Sequence, residues 1–129
     1  MEVVFLIGRI IVGLYYLYNG INHFWSREGI VGYGKSQGLP MADLSVPVSG
    51  VMLIAGGLSI LLGAYPLVGI ALVFLFLVPT AFIMHRFWGV DPQMSAMQRV
   101  QFLKNIALAG SALMFVEIPR PWIWGLGLG

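Results

Sequence analysis

The chain has 129 residues, of which 59% are hydrophobic and only 9% are charged, and its mean hydropathy is +0.90. This composition is far more apolar than that of a soluble domain and indicates a protein embedded in a lipid bilayer. The net charge of +2 is small and scattered, which excludes nucleic-acid recognition. Because cysteine is absent, the chain offers no thiol chemistry and no thiolate ligands for an iron–sulfur cluster.

Four apolar segments follow one another along the chain, at about residues 3–22, 44–62, 67–84 and 100–118. Each approaches the roughly 20 residues that a helix needs to cross a bilayer. The last helix is expected to begin earlier, at Pro92, because Asp91 is a favourable N-cap and proline is favoured at the first helical position. The short connections predict an all-α, up-down-up-down four-helix bundle that forms one domain over residues 1–129.

The first long connection predicts a short additional helix. Ser26 can cap its start, Glu28 favours its first turn, and Gly38-Leu39-Pro40 closes it. Trp25 and Tyr33 are residue types that concentrate at the membrane surface. We therefore expect two or three helical turns that lie at the interface.

Basic residues are distributed unequally between the two ends of the predicted bundle. Most of them lie on the side of the two long connections, and the others lie on the side of the termini; the first group is Arg27, Lys35, Arg86, Arg99 and Lys104, and the second is Arg9 and Arg120. The positive-inside rule then predicts long connections in the cytoplasm and termini outside.

The antiparallel order brings polar residues from three helices to one membrane face. Polar groups are costly within a bilayer and normally face a protein interior or a wet cavity. The pattern therefore predicts a ligand-binding pocket near the long connections, formed by Asn22, His23, His85, Gln101, Lys104 and Asn105.

Each of these residue types also has a purely structural explanation. Lys104 could extend to the head groups, the two histidines could bond loop carbonyls, and Asn22 could join neighbouring helices. His23 and His85 carry no other haem signal with them, so haem is not expected, and no metal site is predicted. Paired carboxylates, a nucleophile triad and a phosphate loop are all absent, and no residue is assigned a catalytic role.

Arg9 lies about 9 Å inside the first helix, at 1.5 Å per residue. An unpaired guanidinium there would be expensive. Glu117, at the end of the last helix on the same side, is the nearest acid in the predicted topology. The sequence thus predicts a structural ion pair between Arg9 and Glu117.

Several motifs together carry a family resemblance: Gly8-Arg9, Gly20-Ile21-Asn22-His23, Gly38-Leu39-Pro40, Gly56-Gly57, His85, Trp88 and Gln101-Phe102-Leu103-Lys104-Asn105. This pattern resembles the DoxX family of small four-helix membrane proteins of bacteria and archaea. One position differs, because Leu53 stands where family members usually carry a glutamate that would pair with Arg9.

The resemblance implies a subunit of the cytoplasmic membrane associated with a quinone-linked redox complex, since some members form the small membrane part of thiosulfate:quinone oxidoreductase. Quinone is the ligand implied for the pocket, and the chain alone is not expected to be an enzyme. The alternative is a non-catalytic structural or assembly subunit. In both cases the expected partners are the lipid bilayer and other membrane subunits, or further copies of the chain.

Overall fold

A computed structural model describes residues 1–129 and contains five α-helices and no β-strand. The prediction of an all-α chain is confirmed, and the largest boundary differences, three residues, occur at the ends of the first and last helices. The helices are α1 (Glu2–Trp25), α2 (Arg27–Ser36), α3 (Ala42–Leu62), α4 (Pro66–Met84) and α5 (Pro92–Phe115).

Three helices, α1, α3 and α4, are each long and apolar enough to cross a membrane. Helix α5 has 24 residues, like α1, but its central part carries Arg99, Lys104 and Asn105. The crossing of the membrane by α5, and with it the four-helix membrane bundle, stays a prediction.

Glycines bring the backbones of α1 and α3 into direct contact. A Cβ atom added at Gly57 would lie 2.7 Å from the Leu17 nitrogen, and one added at Gly20 would lie 2.8 Å from the Gly50 carbonyl oxygen. Small residues of this kind let helices approach closely where lipid removes the hydrophobic drive. Because the later position on α1 meets the earlier position on α3, the two helices are antiparallel.

Helices α3 and α4 connect the two outer helices of the fold. α3 packs against α1 and α4, and α4 packs against α5, whereas α1 and α5 approach each other only sparsely. The main core contains residues from all four long helices and the C-terminal segment: Tyr16, Leu53, Ile60, Ile70, Val73, Leu77, Ala109, Ala112 and Trp122.

The two connecting segments differ in how well their caps were predicted. The Asp91 side chain accepts a hydrogen bond from the Met94 nitrogen at 2.9 Å, which confirms the predicted cap of α5. Ser26 does not cap α2 with its side chain. Its hydroxyl instead donates to Asn22 Oδ1 at 3.0 Å, because the last turn of α1 continues up to that residue.

Candidate ligand-binding cavity

A cavity of about 240 Å³ lies at the end of the molecule that holds α2 and the α4–α5 connection, here called the long-loop end. Side chains from all five helices contribute to its wall. Five of the six predicted pocket residues line it: Asn22, His23, His85, Lys104 and Asn105. The sixth, Gln101, lies outside the wall and accepts a hydrogen bond from Lys104 Nζ at 2.9 Å.

His85 belongs to a polar network with Gln98, Tyr33 and the Met84 carbonyl. Gln98 Nε2 donates to the Tyr33 hydroxyl at 2.6 Å and to the Met84 oxygen at 3.0 Å. Since a carbonyl can only accept, the amide orientation is fixed and Gln98 Oε1 must accept from His85 Nδ1, at 3.2 Å. A neutral His85 therefore keeps Nε2 as an acceptor.

The charge state of His85 follows from its surroundings. The residue lies just beyond the end of α4, and burial lowers its pKa. The hydrogen bond to Gln98 opposes this shift, and the positive charge of Lys104 adds to it. Because an unperturbed histidine titrates near pH 6.5, His85 is neutral at pH 7.

Tyr16 is the cavity residue whose polar group is least satisfied. Its side chain is 1% exposed, yet its hydroxyl has no hydrogen-bond partner in the protein. A buried hydroxyl without a partner costs on the order of 1 to 3 kcal/mol. Tyr16 lines the cavity together with Asn105, which is buried, and Lys104, which is exposed, and all three residue types carry hydrogen-bond donors suited to the oxygen atoms of a ligand.

The polar residues at the end of α1 bond mainly within their own helix. The His23 Nδ1 atom lies 2.7 Å from the Asn19 carbonyl, so this nitrogen donates. The Asn19 amide in turn donates to the Tyr15 carbonyl at 2.8 Å. The bond within α1 therefore accounts for Nδ1 of His23, and Nε2 remains available to a ligand in the cavity.

Sequence reasoning missed Gln98, Tyr33 and Tyr16. Gln98 is 4% exposed, but it precedes the apolar segment 100–118 from which the sequence predicts the last membrane span. The available signal was its spacing of seven residues before Asn105, which places both on one helix face.

The predicted ion pair between Arg9 and Glu117 is not formed. Arg9 is 4% exposed, and its guanidinium donates to the carbonyls of Ile60, Leu61 and Ile123, at 3.2, 3.0 and 2.5 Å. Glu117 is exposed and takes part in no ion pair. The physical reason is that the last carbonyls of α3 lack helical partners, and the negative end of the helix dipole attracts a cation.

Leu53, where the resemblance leads us to expect glutamate, lies far from Arg9. It is 1% exposed and lines the cavity beside Tyr16. Arg9 instead bonds carbonyls about two helical turns further along α3. The substitution therefore makes one wall of the cavity apolar and does not deprive Arg9 of a partner.

Three apolar helices of membrane-spanning length, with a polar cavity at one end, define a helical integral membrane protein. The chain belongs to the DoxX family, whose model, described as DoxX, matches residues 4–86. That range includes Asn22, His23 and His85 and ends before α5.

The chain is also similar to the inner membrane protein YphA of Escherichia coli (strain K12). The two are 30% identical over 112 residues, which cover 87% of this chain and 80% of the relative. No solved structure matches the chain.

Proposed function

We propose that this chain is a quinone-contacting membrane subunit associated with a redox complex, and that the cavity at the long-loop end holds the quinone ring. The observation that carries the proposal is the unpartnered, buried hydroxyl of Tyr16, a residue that lines the same cavity as Lys104 and Asn105. A ligand with carbonyl oxygens would supply the acceptors that the protein does not.

In this proposal α5 is the fourth membrane helix of a single domain. Its buried face carries Gln98 and Asn105 among alanines of the core, while Leu103 and Leu113 are exposed. Polar residues inside and apolar residues outside are the pattern expected of a helix surrounded by lipid.

The proposed orientation has the long connections in the cytoplasm and the termini outside, because most basic residues lie at the long-loop end. The cavity then opens near the cytoplasmic face. The proposed location is the cytoplasmic membrane, which the name of the relative from Escherichia coli supports.

The hydrogen bonds of the cavity assign different roles to its residues. The Tyr16 hydroxyl and the Asn105 amide donate to a carbonyl oxygen of the quinone. Lys104 stabilises the negative charge that develops on that oxygen during reduction. The Nδ1 atom of neutral His85 donates to Gln98, so Nε2 is free to accept a hydrogen bond from a hydroxyl group of the reduced quinol.

The direct test is equilibrium binding of a benzoquinone to the purified chain in lipid nanodiscs. We expect saturable binding to the wild type and about 10-fold weaker binding to Lys104→Met, because charge-assisted hydrogen bonds contribute roughly 1.5 to 3 kcal/mol. Lys35→Met is the matched control, since Lys35 pairs with Asp43 at 3.2 Å and does not line the cavity.

The alternative function is a structural or assembly subunit without a ligand. It is favoured by the network of His85, Gln98 and Tyr33, whose members already satisfy one another. Equal quinone retention by the wild type and by both lysine variants, with capture of a partner enzyme, would establish this alternative. Thiosulfate-dependent quinone reduction by the isolated chain would contradict both functions.

A further inference from the structure

An apolar groove runs between α1 and α5, the two long helices that approach each other only sparsely. Its volume is about 260 Å³, and its wall consists almost entirely of apolar side-chain atoms. The lining residues are Ile11, Val12, Tyr15, Lys104 and Leu108.

This groove adjoins the ligand cavity. Tyr15 and Lys104 line both spaces, and the Tyr15 ring contacts the Tyr16 ring edge-to-face at a centroid distance of 5.3 Å. The groove therefore meets the cavity at Tyr15 and Lys104, and its apolar wall includes Ile11, which is 64% exposed on the lipid-facing side of α1.

The size of the cavity limits what it can hold. Small-molecule sites usually measure roughly 300 to 1,000 Å³, and the cavity of about 240 Å³ is smaller than that. The cavity therefore has room for a polar head group, and any longer part of a ligand must extend out of the cavity.

We infer that the ligand is a single-tailed amphiphile that enters from the bilayer between α1 and α5 and leaves its apolar tail in the groove. The inference rests on the proposed function, because it assumes that the head group occupies the cavity. Lys104 lies at the junction, with Nζ held by Gln101 at 2.9 Å, and marks the boundary between head and tail.

A second space adjoins the cavity and offers a different route for the tail. It measures about 160 Å³, lies between α2, α3 and α4, and its wall includes Ser45 and Ser49. It is smaller and more polar than the groove, so the groove is the better site for a hydrocarbon chain.

The test compares two probes, a benzoquinone with a decyl tail and the same ring without a tail. Leu108→Trp fills the groove, and Leu103→Trp is the matched control on α5, because Leu103 is 57% exposed and lines neither space. Partition of each probe into lipid cancels when variants in identical nanodiscs are compared.

We expect Leu108→Trp to weaken binding of the tailed probe by about 10-fold, because the tryptophan ring occupies the tail site. Binding of the tailless probe should change less than about 2-fold, and Leu103→Trp should affect neither probe. If the wild type binds neither probe, the proposed function fails. If the wild type binds both and the two tryptophan variants behave alike, the groove is not the tail site.

A second measurement uses the wild type and avoids any folding defect of Leu108→Trp. A photoreactive group near the end of the tail should label α1 around Ile11 and α5 around Leu108. An excess of the tailless probe should suppress this labelling, because both compete for the cavity. Labelling around Ser49 would instead place the tail between α2, α3 and α4 and overturn the inference.

Discussion

The two ends of the molecule differ in whether a central buried polar side chain has hydrogen-bond partners. At the end that holds the termini, three backbone carbonyls surround the Arg9 guanidinium. The Phe5 and Trp122 rings also lie near it, with centroids 5.6 and 5.9 Å from its central carbon. At the long-loop end, Tyr16 has no partner for its hydroxyl.

This difference separates a structural polar site from a candidate binding site. The charge of Arg9 is compensated by the protein, so Arg9 stabilises the fold and needs no ligand. The indole nitrogen of Trp122 has no partner either, but the adjoining space of about 140 Å³ is lined mainly by apolar side chains. The long-loop end combines an unpaired hydrogen-bond donor with room for a polar head group.

The largest expected effect concerns Arg9. Arg9→Leu removes three hydrogen bonds and leaves buried carbonyls unpaired, which should reduce the free energy of unfolding by about 3 kcal/mol. Thermal and denaturant unfolding in detergent measure this change.

Glu117 and Arg120 supply the controls for that experiment. Glu117→Gln and Arg120→Leu should each change the free energy of unfolding by less than about 0.5 kcal/mol, because both residues are exposed. A loss in Glu117→Gln as large as that in Arg9→Leu would show that the ion pair forms in solution.

A smaller loss of stability is expected when the hydrogen-bond network of His85, Gln98 and Tyr33 at the long-loop end is broken. Gln98→Leu removes the acceptor of His85 Nδ1 and the donor to Tyr33, so we expect a loss of about 2 kcal/mol in the free energy of unfolding. Gln93→Leu, an exposed position on the same helix, is the control. Equal stability of the two variants would mean that the network of Gln98 does not contribute to folding.

The helices and the convergence of the polar residues could be predicted from the sequence for clear physical reasons. Apolar length marks the membrane helices, and the antiparallel order brings His85 and Asn105 to one end. The partners of Arg9 could not be predicted, because free carbonyls at a helix end belong to the backbone and leave no residue-type signal. Tyr16 was missed since a tyrosine on a helix face usually packs in the core, and only the structure reveals the unpaired hydroxyl.

Tyr16→Phe should separate binding from stability. Removal of an unpaired hydroxyl should leave the free energy of unfolding unchanged or slightly increased, because nothing in the protein loses a partner. Quinone affinity should fall about 5-fold, the equivalent of about 1 kcal/mol for one neutral hydrogen bond. Tyr18→Phe, an exposed tyrosine outside the cavity, is the control, and a clear loss of stability in Tyr16→Phe would indicate a bond within the protein.

The last effect, which appears only at acidic pH, is the pH dependence that His85 gives to stability. Its pKa is lowered in the folded protein, so as the pH falls below about 6.5 the unfolded chain binds the proton first. The free energy of unfolding should therefore be constant above that pH for this group and decrease below it, by at most about 1.4 kcal/mol per pH unit. His85→Gln should flatten the decrease between pH 6.5 and pH 5. An unchanged slope in His85→Gln would show that the neutral state of His85, and with it the acceptor nitrogen proposed for the quinol, is not coupled to folding.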